Sequence, residues 1–183
     1  MFVITGPSGV GKGTLLGRLR ERIPELELSV SATTRRPRPG ERDGVDYHFL
    51  TPEEFQARVD AGDFLEHATY SGNRYGTLRS EVERRLREGR PVALEIEVQG
   101  ARQVRDTMPD AHAVFIAPPS LESLRERLLH RGTDTPEQVE QRLRTAEQEL
   151  EAHPEFADVV VNDDLDSATE ELVAIVEQAL GGR

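Results

Sequence analysis

Gly6-Pro7-Ser8-Gly9-Val10-Gly11-Lys12-Gly13-Thr14 decides the fold of this 183-residue chain. An apolar run, Phe2–Thr5, leads into it, and a helical pattern, Gly13–Arg22, leaves it. Strand, glycine-rich loop and helix in that order make a phosphate-binding loop. Its glycines let backbone N–H groups turn inward around phosphate oxygens, and the helix N-terminus adds its positive dipole end. Lys12 would bridge the β- and γ-phosphates of a bound nucleoside triphosphate. Of 23 basic residues it is the only lysine. Arginine thus fills every other basic position and spares the one where a compact ammonium is needed. The loop departs from the usual ending, because Gly13 stands where a Ser or Thr hydroxyl would ligate Mg²⁺ and Thr14 comes one position late. Mg²⁺ is therefore expected to be held by phosphates and water, with few direct protein ligands.

Outward from the loop, short apolar runs alternate with helical patterns, the reading of a parallel α/β sheet. Core strands are expected at Phe2–Thr5, Leu26–Ser31, Val92–Ile96, Ala113–Ala117 and Val159–Val161. Their apolar runs are continuous rather than alternating, as in strands covered on both faces. Helices are expected at about Gly13–Arg22, Ala101–Thr107, Leu121–His130 and Ala168–Leu180. Two more start at Thr51-Pro52-Glu53-Glu54 and Thr135-Pro136-Glu137-Gln138, each with Thr at the N-cap, Pro at N1 and Glu or Gln at N3. Between Thr33 and about Arg87 the pattern breaks. Arg35–Gly44 is rich in Arg, Pro and Gly, while Tyr47-His48-Phe49 and Phe64–Tyr70 read as strands of a separate small sheet. The expected architecture is an α/β three-layer P-loop fold in one domain. Its core would be residues 1–32, 88–125 and 151–183, with an insertion at 33–87 and a charged helical lid at 126–150.

Composition removes several classes of function. With 34 acidic against 23 basic residues and a net charge of −11, the chain lacks the basic footprint of a nucleic-acid binder. No apolar run approaches the ~20 residues of a membrane span. Without cysteine there are no disulfides, thiolate metal sites or cysteine nucleophiles. The five histidines are scattered and form no metal or catalytic set. Because Phe2–Thr5 follow Met1 directly, a leader peptide is not expected and the cytoplasm is the expected compartment.

What receives the phosphate is read from the next segment, Ser29-Val30-Ser31-Ala32-Thr33-Thr34-Arg35-Arg36-Pro37-Arg38-Pro39-Gly40-Glu41 and then Gly44-Val45-Asp46-Tyr47. It resembles the GMP-binding signature of guanylate kinases. The resemblance continues through Phe64-Leu65-Glu66, Asn73-Arg74-Tyr75-Gly76-Thr77, Glu95-Ile96-Glu97-Val98-Gln99-Gly100, Arg131-Gly132-Thr133 and Val161-Asn162-Asp163, in family order over nearly the whole chain. It implies transfer of the γ-phosphoryl group from Mg·ATP to GMP, with tolerance of dGMP and the oligomeric state left open. ATP would lie on Gly6–Thr14, with Asn162 near the adenine. The GMP phosphate would be gripped by Arg35, Arg38, Tyr47 and Tyr75, since arginines on a proline-stiffened loop offer paired N–H donors. Glu66 would read the guanine base, with Ser31, Gly76 and Thr77 beside it.

Glu95 and Glu97 stand where family members often carry aspartate. Glu97 is expected at the guanine or its ribose, and Glu95 near the metal–water network. Lys12, Arg131 and Arg142 would neutralise the charge that the transferring phosphoryl spreads over its equatorial oxygens. Peptide-binding modules of the same fold usually have a degraded phosphate loop, whereas Lys12 is kept here. Kinases of other nucleoside monophosphates are disfavoured by Ser31, Glu66 and the Arg35–Tyr47 signature.

Overall fold

The structure, a computed structural model, describes residues 1–70, 72–130 and 135–182. In chain order its elements are β1 (Phe2–Thr5), α1 (Lys12–Arg22), β2 (Glu27–Leu28), β3 (Ser31–Thr33), β4 (His48–Phe49), α2 (Pro52–Asp60), β5 (Phe64–Tyr70) and β6 (Asn73–Leu78). There follow α3 (Arg79–Arg87), β7 (Val92–Glu95), α4 (Val98–Thr107), β8 (His112–Ala117), α5 (Leu121–His130), α6 (Pro136–Leu150), β9 (Asp158–Val161) and α7 (Leu165–Gly181). The fold is α/β with a parallel central sheet. The chain gathers into two compact units. Among the described residues no helix is long and apolar enough to cross a membrane.

Residues 2–25, 95–98 and 112–183 form the unit that carries the phosphate loop. Here β1 runs parallel to β8, with Phe2 opposite His112, and β8 runs parallel to β9, with Val114 opposite Asp158. All of β1 and the centre of β8 are buried, which is why Phe2–Ile4 and Val114–Ile116 are apolar at successive rather than alternate positions. Helix α1 buries Leu15, Leu16 and Leu19 and packs against α7, where Arg18 pairs with Asp166 and Arg22 with Glu170. Helices α5 and α6 share a core of Leu124, Leu128, Val139, Leu143 and Ala146, apolar positions three and four apart that line one face of each helix. The α6 start is the reciprocal cap expected of its sequence. Gln138 N–H donates to the Thr135 hydroxyl at 3.3 Å, and Thr135 N–H donates to the Gln138 side chain at 2.9 Å.

Met1 and residues 26–94 and 99–111 form the other unit. It contains the parallel pair β2–β7 and a four-stranded sheet in the order β4-β3-β6-β5. The core of that sheet is Ala32, Phe55, Phe64 and Leu78, with the Phe55 and Phe64 rings stacked 4.5 Å apart. The strand expected at Leu26–Ser31 is divided: Glu27–Leu28 pair with β7, Ser29 N–H still reaches Ala93 O, and Ser31–Thr33 belong to the second sheet. The run from Ser29 to Thr33 favours extended backbone throughout, so propensity leaves no mark where the chain changes sheets. Neither β6 nor α3 has a sequence signal of its own. Strand β6 is Asn-Arg-Tyr-Gly-Thr-Leu, and α3 buries one residue, Val82. Polar contacts hold α3: Arg85 bonds Glu81, Glu27 and the carbonyl of Leu28, while Glu81 meets His48 at 2.9 Å.

Candidate active site

The phosphate loop starts where β1 leaves the sheet. Gly6 has φ 135°, and a Cβ there would stand 2.1 Å from the carbonyl oxygen of Ile116, so only glycine fits. Lys12 opens α1 and is 6% exposed. Its Nζ donates to the carbonyls of Gly6 (2.5 Å) and Pro7 (3.2 Å) and stands 3.8 Å from the Glu97 carboxylate. The crest of the loop is tied down too. The carbonyl of Val10 accepts from Asn162 Nδ2 at 2.8 Å and from the Arg127 guanidinium at 3.2 Å, while Arg127 also donates to the Asn162 carbonyl at 2.7 Å. Asn162 N–H continues the β8–β9 ladder onto Ala117 O, which places this residue at the carboxyl edge of the sheet, where ligands bind in such folds.

Gly13 and Thr14 are exposed in the first turn of α1. A Cβ on Gly13 would lie 3.5 and 3.7 Å from the two Glu95 carboxylate oxygens, so Glu95 faces the place of the missing hydroxyl. Among the described residues no group of three or more His, Cys, Asp or Glu could hold a metal. A single carboxylate facing Gly13 fits a cation that takes its other ligands from phosphate and water. Arg142 is half-buried on α6, whereas Arg131 lies outside the described residues. Beside the loop stands Glu149, in the last turn of α6, near Glu97. Burial, and then the charge of Glu97, push its carboxyl up to about 8.

In the second unit, register brings the expected base-reading residues together. Ser31 lies opposite Thr77 on β6, and Thr77 lies opposite Glu66 on β5. One row across three strands therefore carries all three side chains on one face. A bulge makes this possible. Phe64 pairs with Leu78 but Glu66 pairs with Thr77, so Leu65 is the extra residue. In a regular ladder Glu66 would face Gly76. Glu66 is 5% exposed and accepts the Thr77 hydroxyl at 2.7 Å. Gly100 closes the other side, since a Cβ there would stand 2.6 Å from Glu66 Oε2.

Arg35 leaves the same sheet at Thr33, whose hydroxyl accepts its N–H. Its guanidinium bonds Glu41 at 2.8 Å and lies 5.2 Å from the centre of the Tyr47 ring, itself 6.2 Å from that of Tyr75. Glu41 also accepts the backbone N–H of Arg38 at 2.7 Å. The Arg35 hydrogen bond, followed by that of Arg38, holds the Glu41 carboxyl below its usual range. A carboxylate thus already bridges the two arginine positions expected to grip a phosphate.

No role for Arg127, Gly100 or Glu149 is legible in the sequence. Arg127 was visible only as sharing a helix face with Arg131, four positions on. Gly100 was visible only as the end of the Glu95–Gly100 motif. Nothing in the sequence marked Glu149.

A phosphate loop between the first strand and first helix of a parallel α/β core, with acidic and amide side chains at the strand ends, defines a P-loop nucleotide-binding protein. The family model for guanylate kinase matches residues 1–179. A guanylate kinase of Frankia casuarinae is 55% identical over 176 residues, 96% of each chain. One from Streptomyces coelicolor is 53% identical over 175 residues, 96% of this chain and 89% of its own. The crystal structure of guanylate kinase from Anaplasma phagocytophilum matches with a TM-score of 0.76 at 32% identity, over 97% of this chain and 84% of that one. A gluconokinase from Sinorhizobium meliloti shares the fold at 19% identity and a TM-score of 0.54, over 98% of this chain and 93% of its own. The chain belongs to the guanylate kinase family.

Proposed function

We propose that this protein transfers the γ-phosphoryl group of ATP to GMP, giving ADP and GDP. The observation that carries the choice of acceptor is the buried Glu66 carboxylate in its row with Thr77 and Ser31. A carboxylate accepts from both N1–H and the 2-amino group of guanine. Adenine presents an acceptor at N1 and no 2-amino group, which sets acceptor against acceptor at a buried carboxylate. By analogy with sites built to hydrogen-bond their substrate, that mismatch rejects the wrong base by up to ~10⁴-fold.

In the reaction a phosphate oxygen of GMP attacks the γ-phosphorus in line, and the bond to the β–γ bridging oxygen breaks, leaving ADP. Little covalent chemistry is asked of the protein, so positioning and charge neutralisation carry the rate. Lys12 would follow the charge onto the β–γ bridge. Arg142 and Arg131 would meet the equatorial oxygens, and Arg35, Arg38, Tyr47 and Tyr75 would hold the acceptor phosphate. Arg127 and Asn162 keep the loop crest fixed through Val10. Mg²⁺ supplies charge neutralisation on the polyphosphate when bound, and Glu95 is the side chain placed to hold its water shell beside Gly13. Glu97, 3.8 Å from the Lys12 ammonium, would contact the guanine or its ribose. The cytoplasm is where both nucleotides would be met.

A coupled assay of ADP release with GMP, AMP, CMP and UMP as separate acceptors tests the proposal. GMP should be used at least a hundredfold better than the others. Comparable rates with AMP would overturn it.

A further inference from the structure

The phosphoryl transfer leaves Gln103 without a part. This residue lies half-buried on α4, three positions after Gly100 and so on the same helix face. Its side-chain amide pairs with both backbone groups of one residue of β5. Oε1 accepts the His67 N–H at 3.1 Å, and Nε2 donates to the His67 carbonyl at 2.9 Å. Strand β5 is an edge of its sheet, so Gln103 stands where a further strand would pair. His67 directly follows Glu66. We propose that Gln103 is a positioning residue for base recognition, which seats the first turn of α4 against the Glu66 carboxylate and so fixes where that carboxylate meets the guanine edge. The inference rests on the GMP-dependent reading above.

Glu66 has a neighbour on each oxygen. Oε1 accepts the Thr77 hydroxyl at 2.7 Å, and Oε2 lies so close to Gly100 that a Cβ there would stand 2.6 Å away. The wall on the Oε2 side is therefore only as exact as the seating of α4. Ala101 and Val104 bury the helix, but apolar contact is non-directional and sets its depth more than its position along the strand. The two bonds from Gln103 are directional, and both weaken if α4 slides by part of a residue. They tie the helix to the residue next to Glu66, so that Gly100 and the carboxylate keep their spacing. Reading guanine takes both carboxylate oxygens, one for N1–H and one for the 2-amino group. A small rotation of the carboxylate spoils that paired geometry more than it would a single bond.

IMP keeps N1–H and lacks the 2-amino group, so steady-state kinetics with GMP and IMP on the full chain separate positioning from mere stability. The wild type should favour GMP in kcat/KM by at least about a hundredfold. Gln103→Met keeps the length of the side chain and loses both bonds. Its GMP-to-IMP ratio should fall about tenfold, through a higher KM for GMP, with the KM for ATP within about threefold of the wild type. Gln103→Glu keeps an acceptor for the His67 N–H but sets a second acceptor against its carbonyl, and should lower the ratio as well. Amide hydrogen exchange reads the contact itself, since the His67 N–H should be protected in the wild type and lose protection in Gln103→Met. A folded Gln103→Met with the wild-type ratio, an equal rise in KM for both nucleotides, or free exchange of the His67 N–H in the wild type would overturn the proposal. Wild-type discrimination is the separate control. If the wild type uses GMP and IMP alike, the reading of guanine by Glu66 falls and this inference falls with it. If the wild type discriminates and Gln103→Met does so equally, Gln103 alone loses its role.

Discussion

Burying the Glu66 carboxylate costs free energy that hydrogen bonds such as the one from Thr77 must offset, and a guanine edge brings two further donors. In Glu66→Gln one acceptor oxygen becomes an amide donor that opposes N1–H of guanine. The expected result is a loss of about 10²- to 10⁴-fold in kcat/KM for GMP with ATP binding unchanged, read from steady-state kinetics beside ATP calorimetry. Unchanged GMP turnover would remove Glu66 from base reading. Gly100→Ala tests the same pocket from its other wall. A methyl group 2.6 Å from Glu66 Oε2 must displace the carboxylate or the start of α4, so the KM for GMP should rise by at least about tenfold. The identities of Glu66, Thr77 and Ser31 could be read from the chain, because each sits in a short motif with its own chemistry. Their alignment could not. It depends on a bulge at Leu65 that leaves Phe64, Leu65 and Glu66 all buried, a pattern of neither period two nor 3.6. Arg127 escaped for a different reason. Its partner Val10 lies 117 positions away, and an arginine on a charged helix looks like any solvated one.

Among the elements, the two threonine-capped helices offer a matched comparison. Thr51 caps α2 and Thr135 caps α6, each in a reciprocal box with the third helical residue. Replacing either by Ala should cost about 1 kcal/mol of stability, measured by urea denaturation. Their effects on activity should differ. Helix α6 carries Arg142 and Glu149, so fraying its start should raise the KM for ATP, whereas Thr51→Ala should leave ATP kinetics at the wild-type level. Equal ATP kinetics in the two variants would show that the start of α6 does not govern the nucleotide site. These helices were legible because capping is local chemistry, written within four residues. The strands β1, β7 and β8 were legible because burial on both faces leaves an apolar run, and β9 from its run Val159–Val161, of which Val160 alone is buried. Strand β6 and helix α3 were not, since Asn73–Leu78 is held by pairing to β3 and β5, and α3 by Arg85 and Glu81 rather than by an apolar stripe.

For the molecule as a whole, two sets of carboxyl groups pull stability in opposite directions along the pH scale. Glu41, Glu88, Glu137, Asp164 and Glu170 are held below their ordinary values, by Arg35, Arg90, the backbone N–H of Glu137, the backbone N–H of Ser167 and Arg22 respectively. Each binds its proton less tightly when folded, so its contribution is present above the ordinary carboxylate value of about 4 and is lost as pH falls. These groups face water, so the acid limb should be shallow. Glu149 works the other way. Its carboxyl is raised to about 8 in the folded chain, so its contribution is whole below the ordinary value and drains away as pH rises through 8. The net charge of −11 adds a self-repulsion of the same sign on the alkaline side. Stability should therefore peak near about pH 5 and fall as pH rises toward 8. Glu149→Gln separates the two alkaline causes, because the amide does not titrate while the net charge remains. Scanning calorimetry from about pH 4.5 to 9 should show the wild-type Tm falling by several degrees between about pH 5 and 8 and the variant falling by markedly less. Parallel curves would mean that the folded protein does not keep a proton on Glu149.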